Sequence, residues 1–174
     1  MGVEIERKFL VRGDAWRSEV ARSEPMEQGY LAQSAGDSIG HPGCSVRVRR
    51  AGASAHLNIK SREAGARRLE FEFAIEPDTA SGLLDAFCRE RIVKTRNHVA
   101  YAGAHWEIDE FAGRNAGLIV AEIELASIDE LLILPDWVAD ELTHDSRFYN
   151  LALADEPFAM WPDRDYWIEK SKTC

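Results

Sequence analysis

The sequence has 174 residues, of which 45% are hydrophobic, and this length is enough for one domain with a sizeable buried core. Its formal net charge of −9 argues against a nucleic-acid or membrane-surface binder, because those partners usually require a basic surface. Since the chain has neither a signal-peptide pattern nor an apolar run of the roughly 20 residues that span a bilayer, we expect a cytoplasmic protein.

The first half of the chain is predicted to consist of strands with one long loop. After an opening strand, Asp14 can cap a short helix that carries Trp16 and Val20 on one stripe. A second strand is predicted for MEQGYLAQ, and the glycine-rich segment 34–43 follows as a loop that lacks the GK[ST] ending of a P-loop. Three further strands, CSVRVRR, AHLNIKSR and RRLEFEFAI, are joined by short turns and predict an antiparallel meander.

The second half combines further strands with helices. PDTASGLLDAFCRER predicts a helix with Asp78 or Thr79 as its N-cap. Strands are predicted for IVKTRNHVAY, AHWEIDEFAG and GLIVAEIELA, and helices for SIDELLIL and PDWVADEL. The chain ends in a short helix and an aromatic tail. Because the strands are segregated from the helices, the sequence predicts an α+β fold that is mainly antiparallel, with eight core strands.

Charged residues occupy every second position on seven of the eight predicted strands, so each charged set lies on one face. The sets, in chain order, are Glu4, Glu6 and Lys8; Arg47 and Arg49; Lys60 and Arg62; Arg68, Glu70 and Glu72; Lys94 and Arg96; Glu107 and Asp109; and Glu122 and Glu124. The opposite faces are mostly apolar. This pattern fits the solvated face of an ordinary sheet or a binding surface, where a bound ion offsets the repulsion between like charges.

Eight antiparallel strands can close into a barrel, which removes exposed sheet edges. The charged face would then line the interior, and the helices would cover the apolar outer face. Carboxylates are the ligands that Mg²⁺ or Mn²⁺ prefers, and Arg and Lys bind phosphate oxygens. The charged face therefore predicts a metal-bound oligophosphate as its ligand, and an interior filled only by ion pairs is the alternative.

The ordered segments EIERKF, QGYL, SVRVRR, LNIKS, RLEFEFAI, IVKTRNHV, WEIDEF and AEIEL resemble the CYTH superfamily, the triphosphate tunnel metalloenzymes. The family signature ExExK matches Glu4, Glu6 and Lys8. The resemblance predicts a domain over residues 1–154 and leaves an irregular or helical tail, residues 155–174, unmatched. It implies a closed eight-stranded tunnel in which a divalent metal supports hydrolysis of a triphosphate.

The resemblance also implies roles for individual residues. The phosphates would be bound by Arg47, Arg49, Lys60, Lys94 and Arg96. The metal ligands would come from Glu4, Glu6, Glu70, Glu72, Glu107, Asp109, Glu122 and Glu124. Lys8 would lie near the scissile bond, and Tyr30 matches a tyrosine that pairs with this lysine. Packing against the tunnel wall is the alternative role for Tyr30.

Three functions remain open on the sequence alone: a triphosphatase acting on inorganic triphosphate or an organic substrate such as thiamine triphosphate, a class IV adenylate cyclase, and a non-catalytic polyphosphate-binding module. Among inward positions, only Tyr30 and Phe111 are aromatic, which favours inorganic triphosphate because an organic ring usually needs an apolar platform. Trp161, Tyr166 or Trp167 of the tail could supply such a platform. A homodimer is also left open.

The cysteines and histidines add no further site. Cys44, Cys88 and Cys174 lack the spacing of a disulfide framework or zinc site, so we expect reduced thiols. The histidines, His41, His56, His98, His105 and His144, form no shared constellation in the sequence. His105 has the parity of Glu107, but a histidine at a strand end is usually solvated.

Overall fold

The computed structural model of the chain describes residues 2–36, 43–61 and 66–172. Within them the strands are β1 (Gly2–Val11), β2 (Val20–Gln33), β3 (Cys44–Ala51), β4 (Ser54–Ser61), β5 (Arg67–Ala74), β6 (Arg91–Tyr101), β7 (Ala104–Phe111), β8 (Ile119–Glu124) and β9 (Val138–Glu141). The α-helices are α1 (Pro77–Phe87), α2 (Asn150–Asp155) and α3 (Arg164–Lys172). Short 3₁₀ turns cover Ala15–Glu19, Gly113–Asn115, Ser146–Phe148 and Phe158–Met160. None of the helices in this part of the chain is long and apolar enough to span a membrane.

The strands form a closed antiparallel barrel, which confirms the predicted fold. The strand order is β5-β4-β3-β2-β6-β7-β8-β1, and β1 closes the ring by pairing with β5. Closure depends on the length of β1: residues 2–5 pair with β5, and residues 6–10 pair with β8. The ninth strand, β9, lies outside the ring and pairs with residues 9–11 of β1.

Two apolar clusters cover the outer wall. On one side, the indole of Trp106 packs edge-on against that of Trp137, with ring centroids 5.4 Å apart, and Trp16 is buried in the same cluster. On the other side, α1 packs Leu84 against β3. Gly29 allows this approach, because a Cβ at that position would lie 2.6 Å from the Cβ of Cys88.

A third apolar cluster fills one end of the barrel interior. Leu10, Ile92, Phe111 and Val120 are all buried and have the same strand parity as the charged inward residues. They pack against side chains that follow the last barrel strands: Leu142, Phe148, Leu153, Phe158 and Trp161. The charged lining therefore occupies only part of the interior, and the C-terminal segment closes the remainder with an apolar layer.

Three predicted elements differ from the structure. The helix predicted for PDWVADEL is wrong: Val138–Glu141 is a strand, because β1 extends beyond β5 and offers a free edge. The helix predicted for SIDELLIL is absent. Leu132 packs against the cluster of Trp106 and Trp137, but most apolar side chains of the segment are exposed, and Leu131 is 96% exposed. Val20 was predicted to lie on the first short helix, but it is the first residue of β2.

The helix predicted for PDTASGLLDAFCRER is present, but it ends at Phe87, and Arg91 already begins β6. Its N-cap also differs from the prediction. The structure begins α1 at Pro77, with Glu76 as the N-cap, whereas Asp78 or Thr79 was expected. Cys44 and Cys88 are free thiols, as predicted. Part of the predicted loop, residues 37–42 with His41, lies outside the described residues, and so do Arg62 and Cys174.

Candidate active site

The barrel encloses a cavity of about 410 Å³. Most of the residues that the sequence assigns to a site line it: Glu4, Glu6, Lys8, Tyr30, Arg47, Arg49, Lys60, Arg96, Glu107, Glu122 and Glu124. Strand alternation explains this result, because each pair of charges two residues apart faces inward from its strand. Four of the residues that the sequence assigns to the site do not line the cavity: Glu70, Glu72, Lys94 and Asp109.

Lys8 lies at the deep end of the charged lining, next to the apolar layer. Its backbone pairs with that of Glu122 across β1 and β8, and its ammonium group forms ion pairs with Glu122 and Glu6. Burial disfavours the charged amine, but the carboxylates of Glu122 and Glu6 outweigh that cost and raise the pKa of Lys8. Lys8 is therefore a fixed cation.

Arg96 is the centre of a buried network. Its Nε donates to Asp109 Oδ1 at 2.8 Å and its Nη2 donates to Oδ2 at 2.6 Å, a bidentate arrangement. It also donates to Glu107 and Glu122. Lys94 donates to Asp109 from behind, and burial together with the charge of Arg96 lowers the pKa of Lys94 to about 8. Lys94 and Asp109 thus support Arg96 beneath the cavity surface.

The guanidinium groups of Arg47 and Arg49 form the basic side of the cavity, on β3. Arg49 Nη2 donates to Glu72 at 2.9 Å, whereas Arg47 lies 3.8 Å from Glu70. Asn58 Nδ2 donates to both of these carboxylates, at 2.6 Å to Glu72 and 2.7 Å to Glu70. Burial, with the charges of Arg47 and Arg96, lowers the pKa of Arg49. This side of the cavity therefore concentrates positive charge.

Glu4, Glu6 and Glu124 form the acidic side, on β1 and β8. Lys60 donates to Glu4 at 2.7 Å, and burial, followed by the charges of Glu4, Glu6 and Glu70, raises the pKa of Glu124. A cation bound here would relieve that repulsion, and the donors are the hard oxygens that Mg²⁺ prefers. Mg²⁺ usually binds through one or two carboxylates and substrate phosphates, so a wider cage of protein ligands is not required. The residues fit a divalent cation.

A family model describes most of the chain: the CYTH domain matches residues 2–154. The chain belongs to the CYTH family. Two relatives named inorganic triphosphatase are similar to it over most of their length. The relative from Acetivibrio thermocellus is 37% identical over 91% of this chain and 97% of the relative. The relative from Nitrosomonas europaea is 36% identical over 87% of this chain and 96% of the relative.

Solved structures support the same CYTH barrel. The crystal structure of the inorganic triphosphatase NE1496 is 34% identical, with a TM-score of 0.61, and the match covers 88% of this chain and 95% of that chain. A Hippeastrum protein described as having a dominant triphosphatase activity is 18% identical, with a TM-score of 0.56. It covers 71% of this chain and 80% of its own, and at this identity it supports the fold alone.

The CYTH cavity also contains residues that the sequence interpretation did not assign. Arg68 lines the cavity, and its guanidinium carbon lies 4.6 Å from the ring centre of Tyr149. Arg68 has the parity of Glu70, so alternation could have identified it. Tyr149 and Asn150 reach the cavity from the C-terminal segment SRFYN, which loosely resembles the closing segment of the family but to which the sequence interpretation assigned no site residue. Trp161 and Trp167 pack in the apolar layer and do not line the cavity.

Two histidines are in contact, contrary to the expectation that the histidines form no constellation. His98 Nδ1 and His105 Nε2 are 3.0 Å apart, and the rings stack with centroids 5.1 Å apart. The register of β6 and β7 pairs His98 with Glu107, which is adjacent to the pair. The sequence could not reveal this contact, because it depends on which strands are neighbours and in what register.

Proposed function

We propose that this CYTH protein is a divalent-metal-dependent triphosphatase and that inorganic triphosphate is its substrate. The observation that carries the proposal is the distribution of charge in one closed cavity. Carboxylates of Glu4, Glu6 and Glu124 lie on β1 and β8, and guanidinium groups of Arg47 and Arg49 lie on β3, across the ring in the strand order. A metal-bound triphosphate matches both sides. The two relatives named inorganic triphosphatase support the choice of substrate.

We assign phosphate binding to Arg47, Arg49, Lys60 and Arg96. Arginine suits this role because its planar guanidinium can donate two parallel hydrogen bonds to one phosphate. The Nε atoms of Arg47 and Arg49 are buried and donate to no partner among the described residues, so they retain donor capacity. Arg68, which lines the same cavity, is added to this set.

We assign the metal to Glu4, Glu6 and Glu124, with Mg²⁺ or Mn²⁺ as the ion. When bound, a divalent cation neutralises phosphate charge and lowers the pKa of a coordinated water. Glu4 and Glu6 each pair with a single lysine through one carboxylate oxygen. In contrast, both oxygens of Glu122 accept hydrogen bonds, one from Lys8 and one from Arg96, and Glu72 accepts from both Arg49 and Asn58. Glu122 and Glu72 therefore orient the cations of the site. Asp109 has the same orienting role and is removed from the set of metal ligands that the sequence suggested.

We place Lys8 and Tyr30 at the reacting phosphate. Lys8 stays protonated because of its two carboxylate partners, so it can stabilise negative charge that develops on a phosphate oxygen. Burial raises the pKa of Tyr30, which keeps its phenol neutral and able to donate a hydrogen bond. Phosphoryl transfer depends mainly on positioning and charge stabilisation, which this set of residues provides.

The preference for inorganic triphosphate rests on what surrounds the phosphate groups. A nucleobase or thiazolium ring gains affinity from a free aromatic face. Tyr149 is the aromatic side chain that the C-terminal segment brings to the cavity, but Arg68 already stacks on its ring. Phe111, Trp161 and Trp167 pack in the apolar layer, and Tyr30 is the residue placed at the reacting phosphate. An organic substrate would therefore lose hydration without a compensating contact.

The test is phosphate release from inorganic triphosphate with Mg²⁺ or Mn²⁺ and with excess chelator. The proposal expects hydrolysis that requires the metal, and full activity in chelator would contradict it. With ATP as substrate, formation of cyclic AMP and pyrophosphate would instead indicate an adenylate cyclase. Metal-dependent binding of triphosphate without turnover would indicate a binding module.

A further inference from the structure

A cluster of His98, His105 and Glu107 lies on β6 and β7. The two histidines do not line the triphosphate cavity, whereas Glu107 lines it and accepts a hydrogen bond from Arg96 through Oε2. One ligand atom from each residue lies within 4.8 Å of the others, and no other group of three such ligands occurs in the part of the chain that the structure describes. His98 Nδ1 is 3.0 Å from His105 Nε2 and 3.9 Å from Glu107 Oε1. Three potential metal ligands therefore converge on one point.

We propose that His98, His105 and Glu107 bind a transition-metal cation of the Zn²⁺ type. Imidazole nitrogen favours Zn²⁺, Ni²⁺ or Cu²⁺, whereas a set of carboxylates alone favours Mg²⁺ or Mn²⁺. The two sites of the barrel thus select different classes of cation. With three protein ligands, the fourth tetrahedral position stays open to water or another small ligand.

The distances are close to those of a tetrahedral site. With Zn–N bonds of about 2.0–2.1 Å, two ligands of a tetrahedral zinc are separated by about 3.3 Å. The two histidine nitrogens need to separate slightly from 3.0 Å, and Glu107 needs to approach from 3.9 Å. His105 is exposed at the start of β7, so its side chain can make the adjustment without changing the core.

Arg22 determines which tautomer of His98 faces the proposed metal site. Arg22 Nη2 lies 2.9 Å from His98 Nε2, and a guanidinium can only donate, so Nε2 accepts and Nδ1 carries the proton. That proton is donated to His105 Nε2. Binding a cation at Nδ1 requires the proton to move to Nε2, with no net loss of a proton from the ring. Nε2 would then face a donor, so Arg22 must turn away.

The surroundings of Arg22 permit that movement. Its side chain is 62% exposed, and the carboxylate of Glu24 lies 3.7 Å away as an alternative partner. A metal-bound histidine normally donates its other N–H to an acceptor, and such partners strengthen binding. Arg22 can only donate, so it cannot accept the N–H of a metal-bound His98. It therefore weakens the site, and replacing it with a residue that can accept a hydrogen bond should tighten binding.

The experiment is calorimetric titration of the full chain with Zn²⁺, in the presence of excess Mg²⁺ to saturate the carboxylate site. Wild-type protein should bind one Zn²⁺ at this cluster, and His105→Ala should weaken binding about tenfold or more. His144→Ala, a change to an exposed histidine elsewhere, should leave the affinity unchanged. Arg22→Gln should bind more tightly than wild type, because the Gln oxygen can accept from His98 Nε2.

A second measurement guards against a folding defect in the variants. Thermal melting should show that His105→Ala and His105→Gln fold like wild type. Titration with Co²⁺ should give the visible absorption of a tetrahedral ion in wild type, and both variants should lose it. The proposal is overturned if wild type does not bind Zn²⁺, if His105→Ala binds it equally well, or if Arg22→Gln binds it less tightly.

Discussion

Replacing Asp109 with Asn separates a supporting role from a metal-binding role. Asp109 is 0% exposed and accepts hydrogen bonds from both Lys94 and Arg96. The Asn side chain keeps the shape of Asp but removes its charge. Lys94 and Arg96 would then lose one of the carboxylates that neutralise them. In addition, one of the two Asp109 oxygens that accept their hydrogen bonds would be replaced by a nitrogen, which can only donate.

The expected cost follows from that burial. Removing one partner of a buried ion pair costs about 3–5 kcal/mol, because a charge is left uncompensated. Since the pKa of Lys94 is already lowered to about 8, this lysine can release its proton and relieve part of the repulsion. We therefore expect about 3 kcal/mol, which corresponds to a melting temperature about 6–12 °C lower for a chain of this size.

The assay is urea and thermal unfolding of Asp109→Asn, together with the Mg²⁺ concentration that gives half-maximal hydrolysis. Glu110→Gln is the matched control, since Glu110 is the next residue and forms an exposed pair with Arg17. That pair is worth at most about 1 kcal/mol. The reasoning is refuted if Asp109→Asn melts like wild type and its Mg²⁺ requirement rises, because Asp109 would then act as a ligand.

Three further predictions concern the metal, the phosphates and acid stability. Glu124→Gln should raise the Mg²⁺ concentration for half-maximal hydrolysis about tenfold, and an unchanged requirement would remove Glu124 from the metal site. Arg49→Ala should weaken triphosphate binding by about 1.5–3 kcal/mol, whereas Arg50→Ala, on the outer face of the same strand, should not; equal dissociation constants would contradict the assignment. The Arg147 side chain lowers the pKa of Asp145, so this pair stabilises the fold above about pH 4 and the contribution is lost as the pH falls further. The melting temperature of Asp145→Asn should therefore be lower than that of wild type at pH 7, and the two melting temperatures should become equal near pH 2. The same difference in melting temperature at both pH values would argue against this linkage.

The charged interior could be predicted from the sequence because strand parity is a local property. Alternation alone places Glu4, Arg47 and Glu122 on inward faces, and all three line the cavity. The closed barrel follows from the number of strands and from the need to bury their apolar faces. The family resemblance added the order of the charged pairs, and the CYTH match over residues 2–154 agrees with it.

The remaining features depend on tertiary pairing, which leaves no local signal. Val138–Glu141 has a helix-like composition but becomes a strand because β1 offers a free edge. Strand parity predicts that a charged side chain points inward. It does not predict whether that side chain reaches the cavity surface or stays buried beneath it. Lys94 and Arg96 have the same parity, yet only Arg96 reaches the cavity. The contact between His98 and His105 needs the register of two strands.

The central claim is tested most directly by comparing catalytic efficiency on inorganic triphosphate, ATP and thiamine triphosphate at matched free Mg²⁺. Phosphate release is measured for each substrate under the same conditions. The cavity, with its ionic lining and with the Tyr149 ring already covered by Arg68, predicts the highest kcat/KM for inorganic triphosphate. A higher kcat/KM for ATP or thiamine triphosphate, or no hydrolysis of inorganic triphosphate with any divalent metal, would contradict the account.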